Sequence, residues 1–341
     1  MKKLFLASLI ALGIVAVVGS CKKDTKTSTD DDQTTATNTT TYTCPPPGCT
    51  YPATSFPIPT SGGPFLIFKF KFDSTQARLD NLGNPAITPT SNAAYSPVFN
   101  RMSGHYIEMA QNDLTAVGAG AVLYKANETQ CDNGEKAIAF CQCVTVKEDS
   151  VFFAIPFSQI TPGTYKWLRV SIAYQNYDIA YKTSSCTGTQ YGTVASFLGF
   201  NTYVNQYKIK NNVISPTASC TTHGTTGGGN VKQGYWGFES LVCGTYLYKT
   251  DGKSAGTTVV NPNPSSPIPA GSCLVTGLFN TGGVNTPITI TGSETVDKVI
   301  TVSLSTNKSF EWKEVTFDGY YQPEAGEFPV DMGVRGMIAK Y

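Results

Sequence analysis

Leu66-Ile67-Phe68-Lys69-Phe70-Lys71-Phe72 sets a large apolar side chain at every even position and lysine at two of the three odd ones. Successive side chains of an extended chain point to opposite faces, so this period of two predicts a strand with one face buried. The same pattern recurs. Leu168, Val170, Ile172 and Tyr174 alternate with Trp167, Arg169, Ser171 and Ala173, and Ile300, Val302 and Leu304 alternate with Thr301 and Ser303. Val151-Phe152-Phe153-Ala154-Ile155 reads as a more deeply buried strand, ended by Pro156. Turn chemistry separates these runs at Thr161-Pro162-Gly163, Thr226-Gly227-Gly228-Gly229-Asn230 and Asn261-Pro262-Asn263-Pro264.

Composition agrees. The chain holds 32 Gly, 20 Pro, 18 Tyr and 18 Phe against only 14% charged residues, and it lacks long runs of helix formers. Many short strands punctuated by Gly and Pro predict an all-β body, an antiparallel β-sandwich that is one large unit or two packed ones. No repeat of fixed period is present. The body spans residues 62–341, ample for a sizeable core. The Pro-rich stretch 261–269 reads as a long loop within one sandwich, in preference to a sub-boundary near 258–271.

The N-terminus carries a different signal. Met1, Lys2 and Lys3 precede an apolar run from Leu4 to Val18, the arrangement of a secretory leader. At 1.5 Å per residue the run reaches about 22 Å, short of the roughly 30 Å of a hydrocarbon core. Val17-Val18-Gly19-Ser20-Cys21 resembles the lipobox of bacterial lipoproteins, with Ser20 where Gly or Ala is usual. The resemblance implies cleavage after residue 20, acylation of Cys21 and anchoring through several acyl chains. Residues 21–61 then form a Thr- and Asp-rich tether with too little apolar surface to fold. Its Lys22-Lys23-Asp24 and Asp30-Asp31-Asp32 resemble tags that send lipoproteins to the outer face of the outer membrane, and they equally suit a solvated linker. The whole chain is expected to resemble surface lipoproteins of diderm bacteria with a β-sandwich body. Loss of residues 1–20 removes two lysines, taking the formal charge from +1 to −1, which gives no basis for nucleic-acid binding.

Nine cysteines remain after Cys21: Cys44, Cys49, Cys131, Cys141, Cys143, Cys186, Cys220, Cys243 and Cys273. An exported chain sits in oxidising surroundings, so disulfides are expected. The expected pairs are Cys44–Cys49 as a small closed loop, Cys131 with Cys141 or Cys143, Cys186–Cys220 and Cys243–Cys273, leaving one odd thiol. Cys141-Gln142-Cys143 lacks the second pair that a thiolate zinc site needs.

Catalytic signals are thin. The two histidines are His105 and His223, and no nucleophile elbow, His-Glu-x-x-His or phosphate loop occurs. Met102, His105 and Met109 form a soft cluster that would suit copper, although strand periodicity sets Met102 and His105 on opposite faces. Glu314, Asp318, Glu324 and Glu327 form a degraded calcium-loop pattern, for which an acidic hairpin turn is the plainer reading. Tyr174, Tyr177, Asp178, Tyr235 and Trp236 mix rings with amide and carboxylate groups, which complements the C–H faces and hydroxyls of a sugar, although rings also fill any large β core. Asp178, Glu239 and Glu311 are the carboxylates a glycosidase could use if they converged. The expectation is a membrane-anchored, non-catalytic module that binds a glycan or metal ion and requires no cofactor. A structural or adhesive envelope protein, with other envelope proteins as partners, comes second and an extracellular hydrolase third.

Overall fold

The computed structural model describes residues 44, 49–80, 82–199, 201–221, 228–254, 265–269, 272–334 and 336–341. The leader, Cys21, most of the tether, His223 and part of the Pro-rich stretch fall outside these residues. Within them the chain is all-β, with three short 3-10 turns, and no helix is long and apolar enough to cross a membrane.

Twelve strands form the largest sheet: β1 Phe65–Asp73, β2 Val98–Ala110, β3 Ala121–Lys125, β4 Val151–Pro156, β5 Trp167–Tyr181, β6 Gln190–Phe197, β7 Tyr235–Val242, β8 Tyr246–Lys253, β9 Leu274–Thr281, β10 Val284–Asn285, β11 Lys298–Ser305 and β12 Met337–Lys340. β5 organises the rest. One edge pairs with β2 along nearly its whole length. On the other edge, residues 167–171 pair with β9 and residues 174–181 with β6. The sheet therefore forks at β5. One arm runs through β9, β12, β11, β1 and β4, the other through β6, β7 and β8. Most ladders are antiparallel, as the sequence predicts, but β1–β11 and β9–β12 are parallel. β9, beyond the Pro-rich stretch, joins the same central strand as the elements before it.

Three cores follow from the fork. Leu66, Phe68 and Phe70 of β1, Met102 and Met109 of β2, Leu168, Val170 and Ile172 of β5 and Ile300, Val302 and Leu304 of β11 share the first. All three alternating runs thus bury the face their period assigns. Each such side chain contributes about 1.5–3 kcal/mol over exposure. A four-stranded sheet (Glu128–Asp132, Glu135–Ala139, Asn201–Val204, Gly229–Lys232) accompanies the second core, in which Phe140, Tyr174, Phe197, Tyr207 and Tyr235 pack. A three-stranded sheet (Asn92–Tyr95, Phe310–Lys313, Phe328–Asp331) contributes Phe310 and Trp312 to the third, with Met332 just past its last strand and Tyr177, Ile179, Tyr181 and Trp236.

β5 departs from a half-buried strand. Leu168 to Tyr177 is buried without interruption, because the supposed outer face is also covered. Arg169, fully buried, reaches Glu108 on β2 at 3.4 Å and donates to the carbonyls of Thr115 (2.6 Å) and Asp113 (3.3 Å). The other Glu108 oxygen accepts the amides of Gly118 (3.0 Å) and Gly120 (2.7 Å). A loop of residues 111–120 is folded over an ion pair that would otherwise be costly to bury. Gly120 permits this approach, since a Cβ there would overlap the Met109 carbonyl.

The cysteines pair otherwise than expected. Cys44 bonds Cys131 and Cys49 bonds Cys141, with Cα atoms 5.2 and 5.0 Å apart. The cause is the path of residues 49–56, which run beside the body and set Cys49 against Cys141. Ala53 N donates to Cys143 O (3.0 Å), Thr145 N to Ala53 O (2.7 Å) and Phe56 N to Val151 O (3.2 Å). Pairing with the body thus begins upstream of Gly62. Cys186 bonds Cys243 (Cα–Cα 5.4 Å) rather than Cys220, because the antiparallel β6–β7 ladder brings the start of β6 beside the end of β7. Cys143 and Cys273 keep their thiols, where a single odd one was expected. Burial pushes the Cys143 thiol up to about 12.

Two predictions follow from these contacts. Glu108→Ala strands the Arg169 charge and two loop amides, so urea denaturation should show a loss of about 3–5 kcal/mol, and a loss below about 1 kcal/mol would refute the role of this pair. Proteolytic mapping without reduction should recover peptides cross-linked as Cys44–Cys131, Cys49–Cys141 and Cys186–Cys243; a Cys44–Cys49 peptide would contradict the path of residues 49–56.

Candidate ligand-binding groove

The groove is built on a bulge. In the β2–β5 ladder Phe99 faces Tyr177 and Arg101 faces Asn176, leaving Asn100 as the extra residue. Such a bulge re-aims neighbouring side chains. Asn100 Nδ2 donates to Asn176 Oδ1 and to Asp178 Oδ1, each at 3.1 Å. Asn176 Nδ2 donates onward to the Ile209 carbonyl (2.8 Å) and to Tyr174 Oη (3.3 Å). Two amides are thereby fixed on the groove floor by their own partners.

A short hairpin, Tyr207–Lys208 paired with Val213–Ile214, makes one wall. Two carboxylates hold it. Glu239 on β7 accepts the amides of Lys210 (3.2 Å), Asn211 (3.0 Å) and Asn212 (3.0 Å). Asp178 accepts Lys210 Nζ at 2.9 Å. Beneath the hairpin, Tyr207 Oη meets Tyr235 Oη at 2.8 Å, and Tyr235 donates to Asp251 Oδ2 at 3.1 Å. Gly237 lets the Tyr207 ring lie against β7, since any Cβ there would overlap that ring. Residues 51–54 form the opposite rim, held by the Cys49–Cys141 bond and the Ala53 contacts.

The cavity measures about 890 Å³. Its ring faces are Tyr51, which is exposed, and Phe99, which is half-buried and stacks on Tyr177 at 5.0 Å between centroids. Tyr174 lines the floor but is itself buried, and burial pushes its phenol up to about 12 despite the Asn176 hydrogen bond and the Arg101 charge.

The residues singled out from sequence separate into two groups. Tyr174 and Asp178 belong to the groove and its support. Tyr177, Tyr235 and Trp236 do not present binding faces: they are core rings, at 1%, 0% and 8% exposure. The sequence reading passed over Tyr51, Asn100, Arg101 and the 207–213 hairpin. Asn100-Arg101 gives no periodic signal, because a bulge breaks the period that would have revealed it.

Asp178 and Glu239 flank Thr193 in register on neighbouring strands and share Lys210 as a partner, whereas Glu311 lies apart. Asp178 and Glu239 position the hairpin, while Glu311 accepts Arg78 (3.2 Å) and Asn92 (2.7 Å) in a second, smaller cleft. Met102 and Met109 lie in the first core, whereas His105 faces Glu128 at 3.4 Å. Burial lowers the His105 pKa, with Glu128 opposing it. In the C-terminal loop, Glu327 is fully buried and accepts the amides of Val315, Thr316 and Gln322 at 3.0, 3.1 and 2.7 Å. Glu324 turns away to Ser184 and Thr183, and Glu314 and Asp318 touch the Thr316 hydroxyl. Glu327 thus closes this loop on its backbone amides. Among the described residues no group of three or more His, Cys, Asp or Glu is set to hold a metal ion.

No protein-family model, curated protein or solved structure matches this chain.

The Asp178 carboxyl offers a pH test. Burial would raise its pKa, but hydrogen bonds from Thr193, Lys210 and Asn100 outweigh burial and hold it below the ordinary carboxylate value. A depressed pKa stabilises the fold above the unfolded value of about 3.9, and the stabilisation is lost as pH falls through the folded value. Urea unfolding at pH 6 and pH 3 should therefore show a smaller acid loss in Asp178→Asn than in the parent protein. Equal losses would remove Asp178 from the support of the groove.

Proposed function

We propose that this chain is a lipid-anchored protein of the cell envelope whose body binds a saccharide in the groove without chemical turnover. The resemblance of residues 17–21 to a lipobox supports the anchor on Cys21, and that of Lys22-Lys23-Asp24 and Asp30-Asp31-Asp32 to export tags supports the outer face of the outer membrane. The observation that carries the binding reading is the placing of two ring faces, Tyr51 and Phe99, beside the half-buried Asn100 around one cavity; its NH2 is held by Asn176 and Asp178, which fixes its carbonyl oxygen as an acceptor. A flat apolar face beside a fixed acceptor complements a sugar ring and its hydroxyls. The nearby carboxylates are occupied in holding backbone and side-chain donors, which supports binding over hydrolysis.

A structural or adhesive envelope role is the second reading. The burial of Tyr177, Tyr235 and Trp236 favours it, because most rings of this body serve packing. Binding of the full chain in detergent to an immobilised glycan array separates the two. Saturable binding is expected, and Tyr51→Ala should weaken it about 2- to 13-fold, since an aromatic contact contributes roughly 0.5–1.5 kcal/mol beyond its area. An array silent for the parent protein leaves the structural role.

A further inference from the structure

Resting on the saccharide reading, we propose that the groove selects acidic saccharides, those carrying carboxylate or sulfate groups. The lining holds four cations, Arg101, Lys147, Lys208 and Lys210, against a single carboxylate, Glu148. Two members of this set are already neutralised: Glu148 by Lys71 at 2.7 Å, and Lys210 by Asp178 at 2.9 Å. The side chains of Arg101, Lys147 and Lys208 make no ion pair or hydrogen bond among the described residues. Three positive charges around one concavity are therefore left for a ligand.

This concentration does not follow from a basic chain. Lysine and arginine number 25 against 24 aspartates and glutamates. The second cleft shows the opposite balance, with Asp80, Glu311 and Asp331 against Arg78 alone. Local fields of this kind steer and select charged ligands.

Arg101 sets the geometry. Its backbone follows the Asn100 bulge opposite Asn176, and its charge acts on Tyr174 in the floor of the same cavity. A guanidinium presents parallel donors that match a carboxylate or sulfate in a way an ammonium cannot. A sugar ring against Phe99 or Tyr51 would hold its acidic group toward Arg101, with Lys147 and Lys208 serving neighbouring acidic units of a longer chain. Nonspecific attraction of polyanions predicts instead that charge alone suffices, with no need of ring or amide.

The experiment compares four probes on the full chain in detergent by isothermal titration: a uronic acid oligosaccharide, its carboxyl-reduced neutral counterpart, a sulfated oligosaccharide and polyphosphate of matched charge. The uronate, the sulfated sugar or both should bind at least tenfold tighter than the neutral oligomer and than polyphosphate. The advantage should shrink as salt rises from 50 to 500 mM. Arg101→Gln with Lys208→Gln should bring the acid-to-neutral ratio toward one, and Lys147→Gln, on an exposed stem, should lower it in part without touching the core. Neutral and acidic sugars binding equally would overturn the charge selection while leaving the saccharide groove standing. Polyphosphate equalling the acidic sugars would overturn sugar recognition, and no binding by any sugar would sink the groove reading itself.

Discussion

A strand covered on both faces and paired on both edges is the constraint from which the molecule is built. β5 runs fifteen residues, longer than most strands of globular proteins. Residues 167–178 pair with β2 on one side, so its other edge serves two partners, β9 and then β6. That division splits the sheet into two arms. Each arm then encloses apolar surface of its own, which is why three cores rather than one surround a single strand. Buried polar members of β5 find partners for most of their atoms: Arg169 the Glu108 carboxylate and loop carbonyls, Gln175 the Met332 carbonyl, Asn176 the Ile209 carbonyl, while Arg169 Nε and Gln175 Oε1 stay unpaired among the described residues. An unsatisfied amide or guanidinium at such depth would cost several kcal/mol.

The groove is a by-product of the same constraint. Where β2 must follow β5 past Tyr177, one extra residue is accommodated at Asn100, and the bulge turns Asn100 toward Asn176 and Asp178. Asp178 and Glu239, which might have been taken for catalysts, use their charge on backbone amides and on Lys210. Carboxylates used in this way fix a loop in place of a second layer of apolar packing. The wall they hold needs no rearrangement to admit a ligand, and pre-organisation of that kind raises affinity by lowering the ordering cost of binding.

Strand identity was largely legible in the sequence, because period-2 alternation survives in β1, β5 and β11 and each buries the face it predicts. What alternation cannot show is whether the opposite face is covered. Arg169 reads as a solvent-facing residue in isolation and becomes buried only through Glu108, sixty-one residues away. Disulfide pairing was illegible for a related reason: Cys44 and Cys49 are close in sequence, yet each bonds a cysteine of the body about ninety residues away, Cys131 and Cys141. The groove was half legible. Tyr174 and Asp178 were found through the aromatic–polar mixture of β5. Asn100, Arg101 and Tyr51 come from three-dimensional adjacency, which no local pattern encodes, and the rings of β7 proved to be core.

The central claim is that β5 and the carboxylates beside it hold a preformed groove wall. Native-state hydrogen exchange on the parent protein and on Glu239→Ala tests it most directly. The account predicts that β5 amides exchange only by global unfolding, that the amides of Lys210, Asn211 and Asn212 are protected in the parent protein, and that Glu239→Ala releases those three while β5 stays unchanged. Hairpin amides that already exchange at unstructured rates in the parent protein would contradict it.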